Sequence, residues 1–233
     1  MLAATGAALD LLLNGDAQLW QIIWVSIKTS LAALLLAAPL AIAIGYAIAR
    51  TRFRGRRVLI WLVQAALSLP TVLVGLLLYL LLSRHGPLGP LQLLFTQGGV
   101  VLGQVAIALP VLVAFTLAAV QAADPRYAET AIALGASRWR TMVTVLHEVR
   151  FGVIAAVISG FGRVISEVGC ALMVGGNIAG ETRTITTAIA LETSKGEFAQ
   201  GIALGAVLIV LALLMNGALL FLQGDAHALR GRA

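Results

Sequence analysis

Two stretches of this chain carry no Asp, Glu, Lys or Arg: residues 58–82, and the whole interval between Arg84 and Asp124. A water-soluble domain covers its core with a surface in which roughly a quarter of the residues are charged, so uninterrupted stretches of that length do not belong to one. They are instead long enough to cross a bilayer, which takes roughly 20 mostly apolar residues per helix. Over 233 residues the chain is 60% hydrophobic and 11% charged. That balance excludes a soluble globular enzyme and a disordered chain, and leaves an all-α integral membrane protein. Five transmembrane helices are expected, at residues 25–49, 58–82, 100–122, 151–174 and 199–222, with Gly, Pro or charge in each break. No large extramembrane domain fits in what remains.

Where the charge lies sets the orientation. Five arginines fall between Arg50 and Arg57, four between Asp124 and Arg150, and Arg230 and Arg232 sit in the tail, against Arg84, Arg183 and Lys195 on the other side. By the positive-inside rule this places the N-terminus outside and the C-terminus in the cytoplasm, as an odd number of spans requires. The expected organisation is an outer interfacial segment over 1–18, a transmembrane domain over 19–223 with a cytoplasmic loop at 124–150, and a cytoplasmic tail over 224–233. Residues 1–18 lack a basic start and carry Asp10 and Asp16, so they do not read as a cleavable signal peptide. The formal charge of +6 reports topology, not nucleic-acid binding. Cys170 is the single cysteine and His85, His147 and His227 are scattered, so no metal site is expected.

Pro39, Pro70 and Pro110 fall inside the first three spans and read as kinks. The fourth span holds Arg163 and Glu167, four apart and so on one helix face, where they can pair. A charge at mid-bilayer costs about 2.5–3.5 kcal/mol, so the pair must face protein or water. It either locks the span to its neighbours or lines a path. Beyond it come Met173, Gly175, Gly176 and Asn177, then Thr182, Thr184, Thr186 and Thr187. Backbone N–H groups of a glycine-rich turn, with threonine hydroxyls, are neutral donors able to touch an oxyanion without trapping it. Yet residues 176–198 sum to a charge of minus one, which gives no support for an anion path. An outer loop that docks a partner is the other reading of this segment.

The cytoplasmic loop reads as helix, tight turn, helix. Asp124 and Pro125 start a short helix through Glu129, Ala131 and Leu134; Gly135 can take a left-handed terminal position, and Ser137 can cap the helix that carries Arg138, Trp139 and Arg140. Such an element presents side chains to a partner outside the membrane.

The spacing E-x-A-x3-G of Glu129, Ala131 and Gly135 resembles the EAA loop of permease subunits of ABC importers. The family's continuation I-x-L-P is absent: Val145, Leu146, His147 and Glu148 stand there. Ser68 to Leu82 and Gly86 to Gly89 resemble molybdate and tungstate permeases, and residues 162–198 look closest to the tungstate type. The resemblance covers about residues 25–222. It implies the five-helix ABC importer permease (MetI-like) fold, with Glu129, Ala131, Leu134, Gly135 and Ser137 coupling to an ATPase. It further implies a homodimer in the cytoplasmic membrane, a cytoplasmic ATPase subunit that holds the ATP, and an extracytoplasmic oxyanion-binding protein. The chain has no G-x4-G-K-[ST] phosphate loop, so no catalytic residue or cofactor is expected in it. The expected cargo is tungstate, with molybdate or sulfate as the alternative. A passive channel would need no ATPase-docking loop. An intramembrane enzyme would need Glu167 and His147 together, about 30 Å apart along a helix.

Overall fold

The computed structural model describes residues 16–230. Among them are ten α-helices and no strand. In chain order these are α1 (Ala17–Arg50), α2 (Arg56–Leu67), α3 (Thr71–Leu82), α4 (Gln97–Gln121), α5 (Arg126–Ala133), α6 (Arg138–Glu148), α7 (Arg150–Ile165), α8 (Gly169–Gly175), α9 (Ile185–Lys195) and α10 (Phe198–Arg230), with a 3₁₀ turn at Gly89–Leu91.

The first helix is longer than expected. The Asp16 carboxylate accepts from the Leu19 N–H at 2.8 Å and starts α1 eight residues before the expected span. At 34 residues, α1 rises about 51 Å, well beyond the hydrocarbon thickness. Of the interfacial segment expected over 1–18, residues 1–15 lie outside the described residues. Likewise α10 runs through the expected tail to Arg230, and Arg232 lies outside the described residues.

α1 and α4 form the central seam. Ala33, Ala37, Ala41 and Gly45, four apart, share one buried face of α1. Without bulky side chains there, the backbones approach closely: a Cβ on Gly45 would lie 2.9 Å from Thr116 Cβ and 3.0 Å from the Val113 carbonyl oxygen. Leu34, Leu112, Val113, Leu117, Phe161 and Val164 fill the core around this seam, tying in α7. Pro39 and Pro110 lie inside continuous helices.

Two expected spans are broken. The stretch 58–82 is not one helix: α2 and α3 meet at 101°. Pro70 lacks an N–H and disfavours helical backbone at the residue before it; it stands at the N-cap of α3, where only a kink was expected. The fourth span, 151–174, is interrupted over residues 166–168, between α7 and α8. α6 and α7 meet in turn at 76°. By length and composition, α1, α4 and residues Phe198–Ala218 of α10 are able to cross a membrane, and up to five spans result if each bent pair is one.

α8 is short and sits against glycines. A Cβ on Gly75 of α3 would lie 2.8 Å from Cys170 Cα, and one on Gly103 of α4 would lie 2.7 Å from Cys170 Sγ. The unexpected element is α9, within what reads as an outer loop. Thr184 and Thr187 make reciprocal capping bonds at its start. Ile185 and Ala188 then pack with Ala203 and Leu204 of α10 and with Leu19, Ile22 and Ile23 of α1.

Gly75→Val is expected to lower stability by about 1–3 kcal/mol through overpacking. Gly205→Ala, where an added Cβ meets nothing within 4 Å, is expected to be neutral or stabilising by up to about 1 kcal/mol. Thermal unfolding of the two variants in detergent compares them directly.

Candidate functional site

The loop between α4 and α6 has the geometry its sequence suggests. The Arg126 N–H donates to Asp124 Oδ1 at 2.9 Å, and α5 follows. It ends in a Schellman turn: the Gly135 N–H donates to the Ile132 carbonyl at 2.9 Å and the Ala136 N–H to the Ala131 carbonyl at 3.0 Å. Gly135 has φ +81°, the left-handed conformation that favours glycine, and an added Cβ there would point into open space. The Ser137 hydroxyl then accepts from the Arg140 N–H at 3.4 Å and caps α6.

The loop has a buried face and an exposed one. Ala128 of α5 and Val145 of α6 pack with Val120 of α4, against Tyr46 and Ala49 of α1. Ala131 is also buried, while Glu129 is exposed. Away from that core, Ile132 is 60% exposed, Leu134 81% and Trp139 68%. Three large apolar side chains left uncovered on this loop suit contact with another surface.

The ion pair is present, on altered geometry. Arg163 Nη1 lies 3.1 Å from Glu167 Oε2. The expectation of one continuous helix face is corrected: Arg163 is in the last turn of α7, and Glu167 is in the break. Breaking the helix there exposes backbone donors, and the carboxylate supplies an acceptor, taking the Cys170 N–H on Oε1 at 3.0 Å. The Glu167 carbonyl accepts from Thr186 Oγ1 at 2.6 Å. One residue thereby joins α7, α8 and α9. No N-capping Ser, Thr, Asp or Asn stands beside α8, so this role is hard to see in the sequence.

The glycine and threonine segment is compact. Gly175 ends α8, and Gly176 and Asn177 have φ of +69° and +52°. Thr182, Thr184 and Thr186 are buried. Thr182 Oγ1 donates to the Gly175 carbonyl and accepts from the Ile178 N–H, and the Thr184 hydroxyl bonds those of Thr186 and Thr187. Within the chain these hydroxyls are engaged in folding the segment. Met173 is partly buried and packs against Gly75.

Sequence reasoning passed over the way this segment docks on α1. The Ile185 N–H donates to Ser26 Oγ at 2.7 Å, and Gln21 Nε2 donates to the Gly180 carbonyl at 3.0 Å. Gln97 joins the same network, accepting from Lys28 Nζ at 3.2 Å and donating to the Glu181 carbonyl at 2.8 Å. Ser26, Thr29 and Ser30 recur on one face of an apolar helix, which was the available signal. Among the described residues, no group of three or more His, Cys, Asp or Glu is placed to hold a metal ion.

Helices long and apolar enough to cross a membrane, bent helix pairs, and a helix-turn-helix with uncovered apolar side chains are the features of a membrane protein with a surface suited to a partner. The chain belongs to the family of binding-protein-dependent transport system inner membrane components, whose family model matches residues 19–224. It is a permease subunit and not itself an enzyme. A probable anion ABC transporter permease protein of Haloferax volcanii is 42% identical to it over 82% of this chain and 85% of that relative. The tungstate uptake system permease protein TupB of Campylobacter jejuni is 40% identical over 90% of this chain and 87% of that one. The molybdenum transport system permease protein ModB of Escherichia coli is 31% identical over 76% and 82%. A chain in the crystal structure of a bacterial ABC transporter involved in import of the acidic polysaccharide alginate shares the fold, with a TM-score of 0.68 over 96% of this chain and 87% of that one. At 19% identity that likeness concerns the fold alone.

Glu167→Ala removes the acceptor of both the Arg163 guanidinium and the Cys170 N–H and is expected to cost about 1–3 kcal/mol. Thr186→Val removes two hydrogen bonds, to the Glu167 carbonyl and with the Thr184 hydroxyl, and is expected to cost about 1–2 kcal/mol. Detergent-solubilised yield and melting temperature would rank the two.

Proposed function

We propose that this chain is the membrane-spanning subunit of an ATP-driven importer of tungstate. The observation that carries the substrate is the pair of tungstate permeases, at 40% and 34% identity over 90% and 94% of this chain, against 31% for the molybdenum permease of Escherichia coli over 76%. Molybdate, which shares the tetrahedral dianionic form, is the second reading, on the strength of that relative.

In this reading two copies assemble in the cytoplasmic membrane, each with its N-terminus outside and its C-terminus in the cytoplasm. The eleven basic residues on one side support that orientation. The apolar exposed surfaces of α1 and α10, Leu35, Leu36, Leu213 and Leu214 among them, suit lipid or the second copy. An extracytoplasmic binding protein delivers the oxyanion, and a cytoplasmic ATPase subunit binds ATP. Ile132, Leu134 and Trp139 are the contact surface for that ATPase. Glu129, Ala131, Gly135 and Ser137 set the shape of the contact. Because α5 packs through Ala128 on Val120, a displacement of the loop is delivered to the end of α4. The two-helix geometry thus converts ATPase closure into movement of the bundle.

A strain lacking tungstate uptake, supplied with this permease and its cognate ATPase and binding protein, is expected to accumulate tungsten, measured by mass spectrometry. Accumulation of molybdenum alone would make molybdate the cargo. Gly135→Val places a β-branched side chain at positive φ, which costs about 1–3 kcal/mol locally. It is expected to reduce uptake at least about tenfold, by analogy with a lost coupling energy near 1.4 kcal/mol. Membrane levels of the subunit, read by immunoblot, should stay unchanged; normal uptake in this variant would remove the loop from the mechanism.

A further inference from the structure

Beside the break between α7 and α8, the outward surface of the protomer is polar. Gly162 and Ser166 are exposed, and Arg163 between them keeps 38% of its side chain accessible. A Cβ on Gly162 would meet nothing within 4 Å. Other outward positions on the long helices hold Leu35, Leu36, Phe115, Leu213 and Leu214, which suit lipid. The ion pair is also lopsided. Glu167 is 2% exposed in its side chain and has both carboxylate oxygens occupied, by Arg163 and by the Cys170 N–H. Arg163 has five N–H donors, yet among the described residues its side chain makes one hydrogen bond, to Glu167. The remaining donors face out of the protomer, about 20 Å along α7 from Arg150. At such a depth a guanidinium turned toward lipid costs about 2.5–3.5 kcal/mol, so this face borders water or protein.

We propose that Gly162, Arg163 and Ser166 line the route of the transported oxyanion, and that Arg163 contacts a tetrahedral dianion through the N–H groups Glu167 leaves free. The inference rests on the reading of the chain as an oxyanion permease. A planar guanidinium offers two parallel donors to two oxygens of such an anion. The buried carboxylate cancels the net charge, so the contact is directional without being a deep electrostatic trap, as passage demands. Gly162 leaves room beside the guanidinium for the anion to approach.

Ser166→Cys tests this in the complete importer, reconstituted in liposomes with its ATPase and binding protein. The Ser166 hydroxyl bonds only carbonyls of its own helix, those of Gly162 and Arg163, and the native Cys170 is buried. The introduced thiol is expected to react with an anionic, membrane-impermeant methanethiosulfonate. Tungstate, or molybdate if that is the cargo taken up, should slow the reaction at least about fivefold through occupancy. Adding Arg163→Gln should reduce the preference for the anionic over the cationic reagent by about tenfold. If that double variant fails to assemble, Arg163→Lys, which keeps the charge and loses the fork, is read instead; protection should weaken about threefold. A thiol that reacts with neither reagent in a complex still transporting its oxyanion, or one indifferent both to the oxyanion and to the substitutions at Arg163, overturns the inference and leaves the transport reading standing. If the unsubstituted complex takes up neither oxyanion, it is the transport reading that falls.

Discussion

Glu167 carries more of this architecture than its position in a helical break suggests. In lipid a helix cannot simply stop, because freed N–H groups find no water to bond. Here the break between α7 and α8 is made tolerable by one carboxylate that takes a backbone N–H from α8 and a guanidinium from α7. Its own carbonyl then fastens the start of α9 through Thr186. Remove the carboxylate and α7 and α8 lose their link, while the bond from Thr186 to the backbone carbonyl remains. The helices beside the break adapt to it in turn: Gly75 and Gly103 let α3 and α4 close around α8.

Much of the fold was legible because bilayers impose simple rules. The long apolar stretches of α1, α4 and α10 follow from hydropathy, and Asp124, Gly135 and Ser137 each perform the terminal function their chemistry suggests. What the sequence hid was interruption. Ser68-Leu69-Pro70 sits in an apolar run whose length alone fits a single span, and only the clash of proline with its predecessor turns a kink into a right-angle break. The interval 166–168 carries neither Pro nor Gly, so no breaker marks it; it is held by the Glu167 carboxylate and by Thr186, nineteen positions away. α9 escaped for a third reason. It has 11 residues, too few to register as a span, and its threonines are hydrogen-bonding residues that also suit a loop.

The candidate site shows the same division. The α5–α6 loop is assembled from neighbours in sequence, and short-range capping rules recover it. The ion pair was visible as a spacing, but its asymmetry was not. Which member is buried depends on where α8 turns, and that is a tertiary property. Likewise, the threonines looked like donors waiting for a ligand, whereas their hydroxyls are held by one another and by backbone groups.

The seam between α1 and α4 has a mechanical consequence. Alanines and a glycine leave the two backbones in near contact, with no flexible side chains between them to absorb displacement. Two rods meshed in this way slide only by disengaging, and the next matching register is a full helical turn, about 5.4 Å, further on. They therefore form a strut, with Pro39 and Pro110 the points where a backbone hydrogen bond is missing. One end of that strut abuts α5 and α6 through Val120, and the other reaches α9's approach through Gln97 and Ser26. The packed pair thereby links one surface of the bundle to the opposite one.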